Sequence, residues 1–115
     1  MEEETVFSQI IEKKKPAEII YEDEEVVAFK DINPQAPVHV LIVPRKPIPK
    51  LTAADESDMA VLGKMVMVAK KIAIDFGLDD GGFRLTMNEG KNGGQTIYHL
   101  HFHLLGGRRL MWPPG

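Results

Sequence analysis

The chain has 115 residues, 43% of them hydrophobic and 27% charged, with a formal net charge of −3 and no cysteine. That is the length of one domain, 1–115, with enough apolar content for a core; the lack of cysteine excludes a disulfide framework and a thiolate metal site. No basic stretch offers the charge footprint of a nucleic-acid binder, and the acidic start Met1-Glu2-Glu3-Glu4 and the absence of a membrane-length apolar run set the expectation of a soluble, cytoplasmic protein without a membrane partner.

Thr5 to Glu12 reads as a short amphipathic helix with Val6, Phe7, Ile10 and Ile11 on its apolar side, ended before Pro16. Lys13-Lys14-Lys15 reads as its solvated end. Glu18 to Tyr21 and Val26 to Lys30 read as strands of a hairpin around the acidic turn Glu22 to Glu25. A proline-stiffened connection, Asp31 to Pro37, leads to the β-branched run Val38 to Val43, a central strand stopped by Pro44. Thr52 to Phe76 is the one long helix, with Thr52 and Asp55 at capping-box spacing, Ser57 as a later alternative cap and Gly77 as its C′ residue. Met59, Leu62, Val66, Ala69, Ala73 and Phe76 make one buried stripe, and Val61, Met65, Val68 and Ile72 a second beside it. So broad an apolar surface predicts that the helix also packs against a partner subunit. After the turn Asp79 to Gly82, Phe83 to Asn88 is a fourth strand. The fold class is therefore α+β: a five-stranded antiparallel sheet with one long and one short helix.

The fifth strand carries the chemistry. In His99-Leu100-His101-Phe102-His103-Leu104-Leu105 three of the four histidines alternate with apolar residues. On a strand His99, His101 and His103 then share one face, while Leu100, Phe102 and Leu104 share the other and enter a core. Three imidazoles on one face are poorly explained by packing alone, since charged ones repel and clustered titratable groups mark sites. A zinc site is the competing reading, but alternate positions span ~13 Å from His99 to His103 at ~3.3 Å per residue, too far for both to ligate one ion. The reading preferred here is phosphoryl chemistry by histidine. His101 would be the central nucleophile, His103 a hydrogen-bond partner of a phosphate oxygen, and His99 an orienting group. Gly93-Gly94-Gln95-Thr96 could turn N–H groups and a hydroxyl toward the phosphate. On the residues alone His39 reads equally as a buried structural histidine or a site member, Asp31 as a turn residue or a ligand, and Trp112-Pro113-Pro114-Gly115 as a frayed tail or a docked one.

The His-φ-His-φ-His-φ-φ signature, with φ apolar, resembles that of the histidine-triad (HIT) family. Asn88-Glu89-Gly90, Gly93-Gly94-Gln95, Tyr98, Gly106-Gly107-Arg108, the terminal Trp-Pro-Pro-Gly, Asp31 to Pro37 and His39 are similar to its Hint branch, from about Thr5 to the end. The resemblance implies a homodimer whose two sheets join into one, and a purine nucleoside phosphoramidate hydrolase that releases AMP or GMP from a P–N bond through a nucleotidyl-histidine, with no cofactor or metal. By that similarity His101 is the nucleophile and His39 belongs to its network. His103, Gly94, Gln95 and Thr96 contact the phosphate, Asn88 the phosphate and ribose side, and Asp31 the ribose. Ile32, Phe7 and Leu41 line the nucleoside pocket, and Trp112 reaches the leaving-group side of the partner subunit's site. Thr96 stands where many relatives have Ser and keeps the hydroxyl; Pro47 stands where several have another histidine. The alternative in a different class is a nucleotide-binding regulatory or scaffold dimer with incidental hydrolysis.

Overall fold

The computed structural model describes residues 4–115; residues 1–3 of the acidic start lie outside the described residues. Five strands, β1 Ile19–Glu22, β2 Val26–Lys30, β3 Val38–Pro44, β4 Phe83–Met87 and β5 Phe102–Gly106, form one antiparallel sheet in the order β1-β2-β3-β5-β4. The helices are α1 Val6–Ile11 and α2 Met59–Asp75, with two single turns, α3 Leu78–Gly81 and α4 Gly90–Gly93, where the sequence indicated only a turn and a loop. Among the described residues no helix is long and apolar enough to cross a membrane.

The two faces of the sheet are covered unequally, as strand alternation dictates. Val26, Ala28, Val40, Ile42, Phe102 and Leu104 point to one face and pack under α2 in the main core. Val27, Phe29, Leu41 and Val43 point to the other, where Phe7 and Ile10 of α1 meet them in a smaller cluster. Cross-strand pairing aligns Ile19, Phe29, Leu41, His103 and Thr86 in one row across all five strands. α1 is too short to cover that row, so its β5 end stays open.

Two expectations need correction. The long helix starts at Met59, not Thr52. Thr52 is no cap, because Glu89 takes both its N–H (2.7 Å) and its hydroxyl (2.8 Å). The capping box lies instead between Asp55, which accepts from Ser57 N, and Asp58, which accepts from Asp55 N. The buried stripe is Val61, Met65, Val68 and Ile72, joined by Ala69 and Ala73. Met59, Val66 and Phe76 of the other stripe are exposed, along with Met67 and Ile74. Gly77 does end the helix in the left-handed conformation, φ 71°.

The histidine segment is strand only from Phe102. The β3 ladder ends at the Ile42–Phe102 pair and the β4 ladder at Met87–Phe102, so His99 to His101 have no ladder partner, although β3 itself runs on to Pro44 against β2. His99 to His101 are held by other bonds: the Leu100 N–H donates to the Ile48 carbonyl at 2.7 Å, which buries Leu100 in the main core. At the strand's last residue, Gly106 lets α3 close over β5: a Cβ at that position would lie 2.6 Å from Leu78 Cδ1.

Candidate active site

A cleft of about 490 Å³ opens on the α1 face of the sheet. It is lined by Phe7, Asp31, Ile32, Leu41, Asn88, Gly94, Thr96, His101 and His103, nine of the residues singled out in the sequence. Phe29, Ile10 and Ile97 complete its apolar wall. Those three were missed, although Phe29 follows from the period of β2 and Ile10 lies one helical turn beyond Phe7. His101 stands against the wall, its ring edge-on to Phe7 at 4.8 Å and to His103 at 5.0 Å.

The hydrogen bonds fix each ring's tautomer. The His101 Nδ1–H donates to the His99 carbonyl at 2.8 Å. Nε2 therefore carries the lone pair, and it has no hydrogen-bond partner among the described residues. His99 supplies that carbonyl rather than its ring. The ring is buried, its Nε2–H donating to the Pro44 carbonyl at 2.7 Å, and it does not line the cleft.

A second chain of bonds begins in the backbone. The Gln35 N–H donates to His39 Nδ1 at 3.1 Å, which makes that nitrogen an acceptor. His39 Nε2–H then donates to His103 Nδ1 at 2.9 Å, with Asp31 Oδ2 3.4 Å from the same His39 nitrogen. His103 is left with its hydrogen on Nε2, so it is a donor beside the His101 lone pair. His39 is thus a site member by contact, buried beneath the cleft rather than lining it. Asp31 plays both of the roles open to it: Oδ1 accepts from Asn33 N at 2.8 Å in a turn, and Oδ2 faces His39.

All three rings are held below the ordinary imidazole pKa. Burial is the main cause for His101, opposed by its bond to the His99 carbonyl and by Asp31. Burial also lowers His39. His103 is pushed down to about 4, by burial first and then by the neighbouring His101 and His39. These imidazoles are therefore neutral at physiological pH, and a neutral imidazole is the nucleophilic form.

The loop from Asn88 to Thr96 differs from expectation at two residues. Gln95 is buried and braces the loop instead of facing a phosphate: its Oε1 accepts from Gly90 N, its Nε2 donates to the Pro49 and Ile97 carbonyls, and its own N–H goes to the Gly90 carbonyl. The Gly94 N–H is taken by the Lys91 carbonyl at 3.2 Å, so Gly94 contributes closeness, at φ 83°, and not a donor. Thr96 keeps both its N–H and its hydroxyl free of described partners, and it lines the cleft. Trp112 is 84% exposed and does not line the cleft of its own chain.

Residues 12–110 match the family described as HIT domain. An uncharacterised HIT-like protein of Synechocystis sp. is 55% identical over 115 residues, spanning all of both chains. A 14 kDa zinc-binding protein of Zea mays is 49% identical over 113 residues, spanning 96% of this chain and 88% of that one. Among solved structures, a HIT family hydrolase from Legionella pneumophila superposes with a TM-score of 0.95 at 43% identity, covering 97% of this chain and 100% of that one. A histidine triad nucleotide-binding protein from Candida albicans superposes with a TM-score of 0.82 at 29% identity, covering 96% and 83%.

Proposed function

The chain belongs to the HIT family, and on that premise we propose that it is a purine nucleoside phosphoramidate hydrolase of the Hint type. The observation that carries the reading is the tautomer pattern. His101 presents an unprotonated Nε2 to the cleft while His103, set by His39 and the Gln35 N–H, presents a donor beside it. In the reaction His101 Nε2 attacks phosphorus, the P–N bond breaks, and the nitrogen takes up a proton from solvent and departs as the amine; the later hydrolysis returns that proton. Water then cleaves the nucleotidyl-histidine to AMP or GMP. The His103 Nε2–H and the free Thr96 donors hold phosphate oxygens, as preorganised donors do for developing charge. Asp31 and Asn88 lie toward the ribose. Phe7, Ile32, Leu41 and Phe29 enclose the base.

A zinc reading, raised by the name of the maize relative, has a specific geometric basis. Asp31, His39 and His103 offer one ligand atom each, all within 4.8 Å of one another. The donor chemistry does not fit. To ligate through Nε2, a neutral His39 would move its hydrogen to Nδ1, where it would face the Gln35 N–H. Activity is therefore expected to survive exhaustive chelation; loss restored by zinc alone would reverse that ranking.

The homodimer is part of the proposal. Met59, Val66, Met67, Ile74 and Phe76 of α2 and Phe83 of the edge strand β4 are exposed, apolar surface suited to a second copy. In that arrangement Trp112 reaches the leaving-group side of the partner's site. Light scattering should give about 26 kDa, twice the 12.9 kDa chain. The decisive test of the reaction is intact mass after rapid quenching with an AMP or GMP phosphoramidate. A nucleotidyl adduct on the wild type that is absent from His101→Asn supports the reading; turnover by His101→Asn within tenfold of wild type ends it.

A further inference from the structure

At the end of the cleft away from the histidines, the wall contains one feature that apolar enclosure of a base does not need. Lys15, on the connection between α1 and β1, lines the cleft together with Val6, Ile10, Pro16 and Ala17. Its side chain makes no hydrogen bond or ion pair with any described residue. The lysines around it differ: Lys13 pairs with Glu22, Lys14 with Glu4 and Glu12, and Lys30 with Glu18. Lys15 thus leaves an uncompensated ammonium at the rim of a largely apolar cavity.

Its place relative to the reacting end follows from the sheet. The aligned row runs from Ile19 on β1 through Phe29 and Leu41 to His103 on β5. Three strand spacings of ~4.8 Å separate its ends, about 14 Å in all. A purine nucleoside phosphate extends over a comparable length. With its phosphate at His101 and His103, its base lies over Phe29 toward the residues that lead into β1, and Lys15 is among these. The rest of that end is apolar except for Lys30, whose ammonium is held by Glu18 at 2.9 Å, so the Lys15 ammonium is the group left to distinguish one purine from another there. Guanine offers two acceptors side by side, O6 and N7; adenine offers N7 beside an amino donor, which an ammonium cannot pair with.

We propose that Lys15 reads the O6/N7 edge of the base and makes this site selective for 6-oxopurine nucleotides over adenine nucleotides. The inference rests on the nucleotide reading of the cleft but not on P–N hydrolysis. It is tested by calorimetric titration of GMP, IMP and AMP into the wild type and into Lys15→Met, Lys15→Arg and Lys15→Glu. IMP keeps O6 and N7 but lacks the 2-amino group of guanine. The wild type should bind GMP and IMP about tenfold more tightly than AMP, a modest figure for a lysine contact to that edge. Lys15→Met, which keeps the apolar stem, should bring the three affinities together. Lys15→Arg should keep the preference, and Lys15→Glu should favour AMP. Wild-type affinities for GMP and AMP within twofold of each other would overturn the proposal. So would a preference unchanged in Lys15→Met, or IMP behaving like AMP, since selection would then come from the 2-amino group. If the preference tracks Lys15 but no phosphoramidate is hydrolysed, the reaction assignment alone fails; if phosphoramidates are hydrolysed without base preference, the role of Lys15 alone fails.

Discussion

The two faces of the sheet are built from the same strands, yet one is finished and the other is not. Under α2, alternate residues of β2, β3 and β5 meet a 17-residue helix and form a continuous apolar core. Under α1, the intervening residues of the same strands meet a 6-residue helix, and its cover ends before β5. The uncovered part holds Asp31, His39, His101 and His103. Strand alternation therefore divides the labour residue by residue: Phe102 and Leu104 hold the fold while His101 and His103 flank the cleft. Changes one position apart in sequence should then have effects of different kinds.

The largest expected effect is at His101. His101→Asn should lower turnover of a nucleoside phosphoramidate by about 10³-fold or more, as loss of a covalent nucleophile does, with little change in melting temperature or nucleotide affinity. Three residues along, Leu104→Ala should do the converse. Leu104 is fully buried in the α2-side core, and such truncations cost about 2–5 kcal/mol, readable as a shifted denaturation midpoint. The folded fraction should retain its kcat. If Leu104→Ala removed activity from fully folded protein, or His101→Asn unfolded it, the division between the faces would be wrong.

Much of this division was legible in the sequence, because alternation is local. It placed His101 with His103, and Phe102 with Leu104, on opposite sides; the place of Phe7 and Leu41 in the pocket comes from the family resemblance and not from alternation. What was not legible depends on bonds between distant segments. Thr52 has the spacing of a cap but gives its hydroxyl to Glu89, 37 residues away. Gln95 has the position of a phosphate ligand but spends its amide on Pro49 and Ile97. On the residues alone His39 stays open between core and site; the resemblance puts it in the network, and the pairing of β3 with β5 shows the contact that brings it to His103. The strand limit at Phe102 required knowing that the ladders to β3 and β4 both end at that residue.

That His39 contact gives a smaller prediction, which sharpens the comparison within the site face. His39→Leu removes the donor that leaves His103 its hydrogen on Nε2. Turnover should fall about 10- to 100-fold, the range for loss of a hydrogen-bond partner that orients a site histidine, through kcat more than KM. Nitrogen chemical shifts of His103 should move from one tautomer toward a mixture. A purely structural His39 would change stability and leave the His103 shifts and the kcat of folded protein as they were.

The smallest expected effect is a pH dependence confined to the site face. His103 has its pKa lowered to about 4 in the folded chain from the 6.5 of an unperturbed histidine, by burial and by its two histidine neighbours. Between those values the unfolded state binds more protons than the folded one, so stability rises with pH across that window. The contribution is fully present above about 6.5 and is lost as pH falls toward 4. His101 and His39 act in the same direction, since burial lowers both. Carboxylates add their own loss at lower pH, so the informative interval is pH 6.5 to 5. There the denaturation midpoint of the wild type should decline with an unchanged m-value. His103→Gln, which has nothing to protonate, should show a shallower decline, whereas Leu104→Ala should be displaced downward with the wild-type slope. A slope as steep in His103→Gln as in the wild type would mean that the proton uptake belongs to groups outside the cleft.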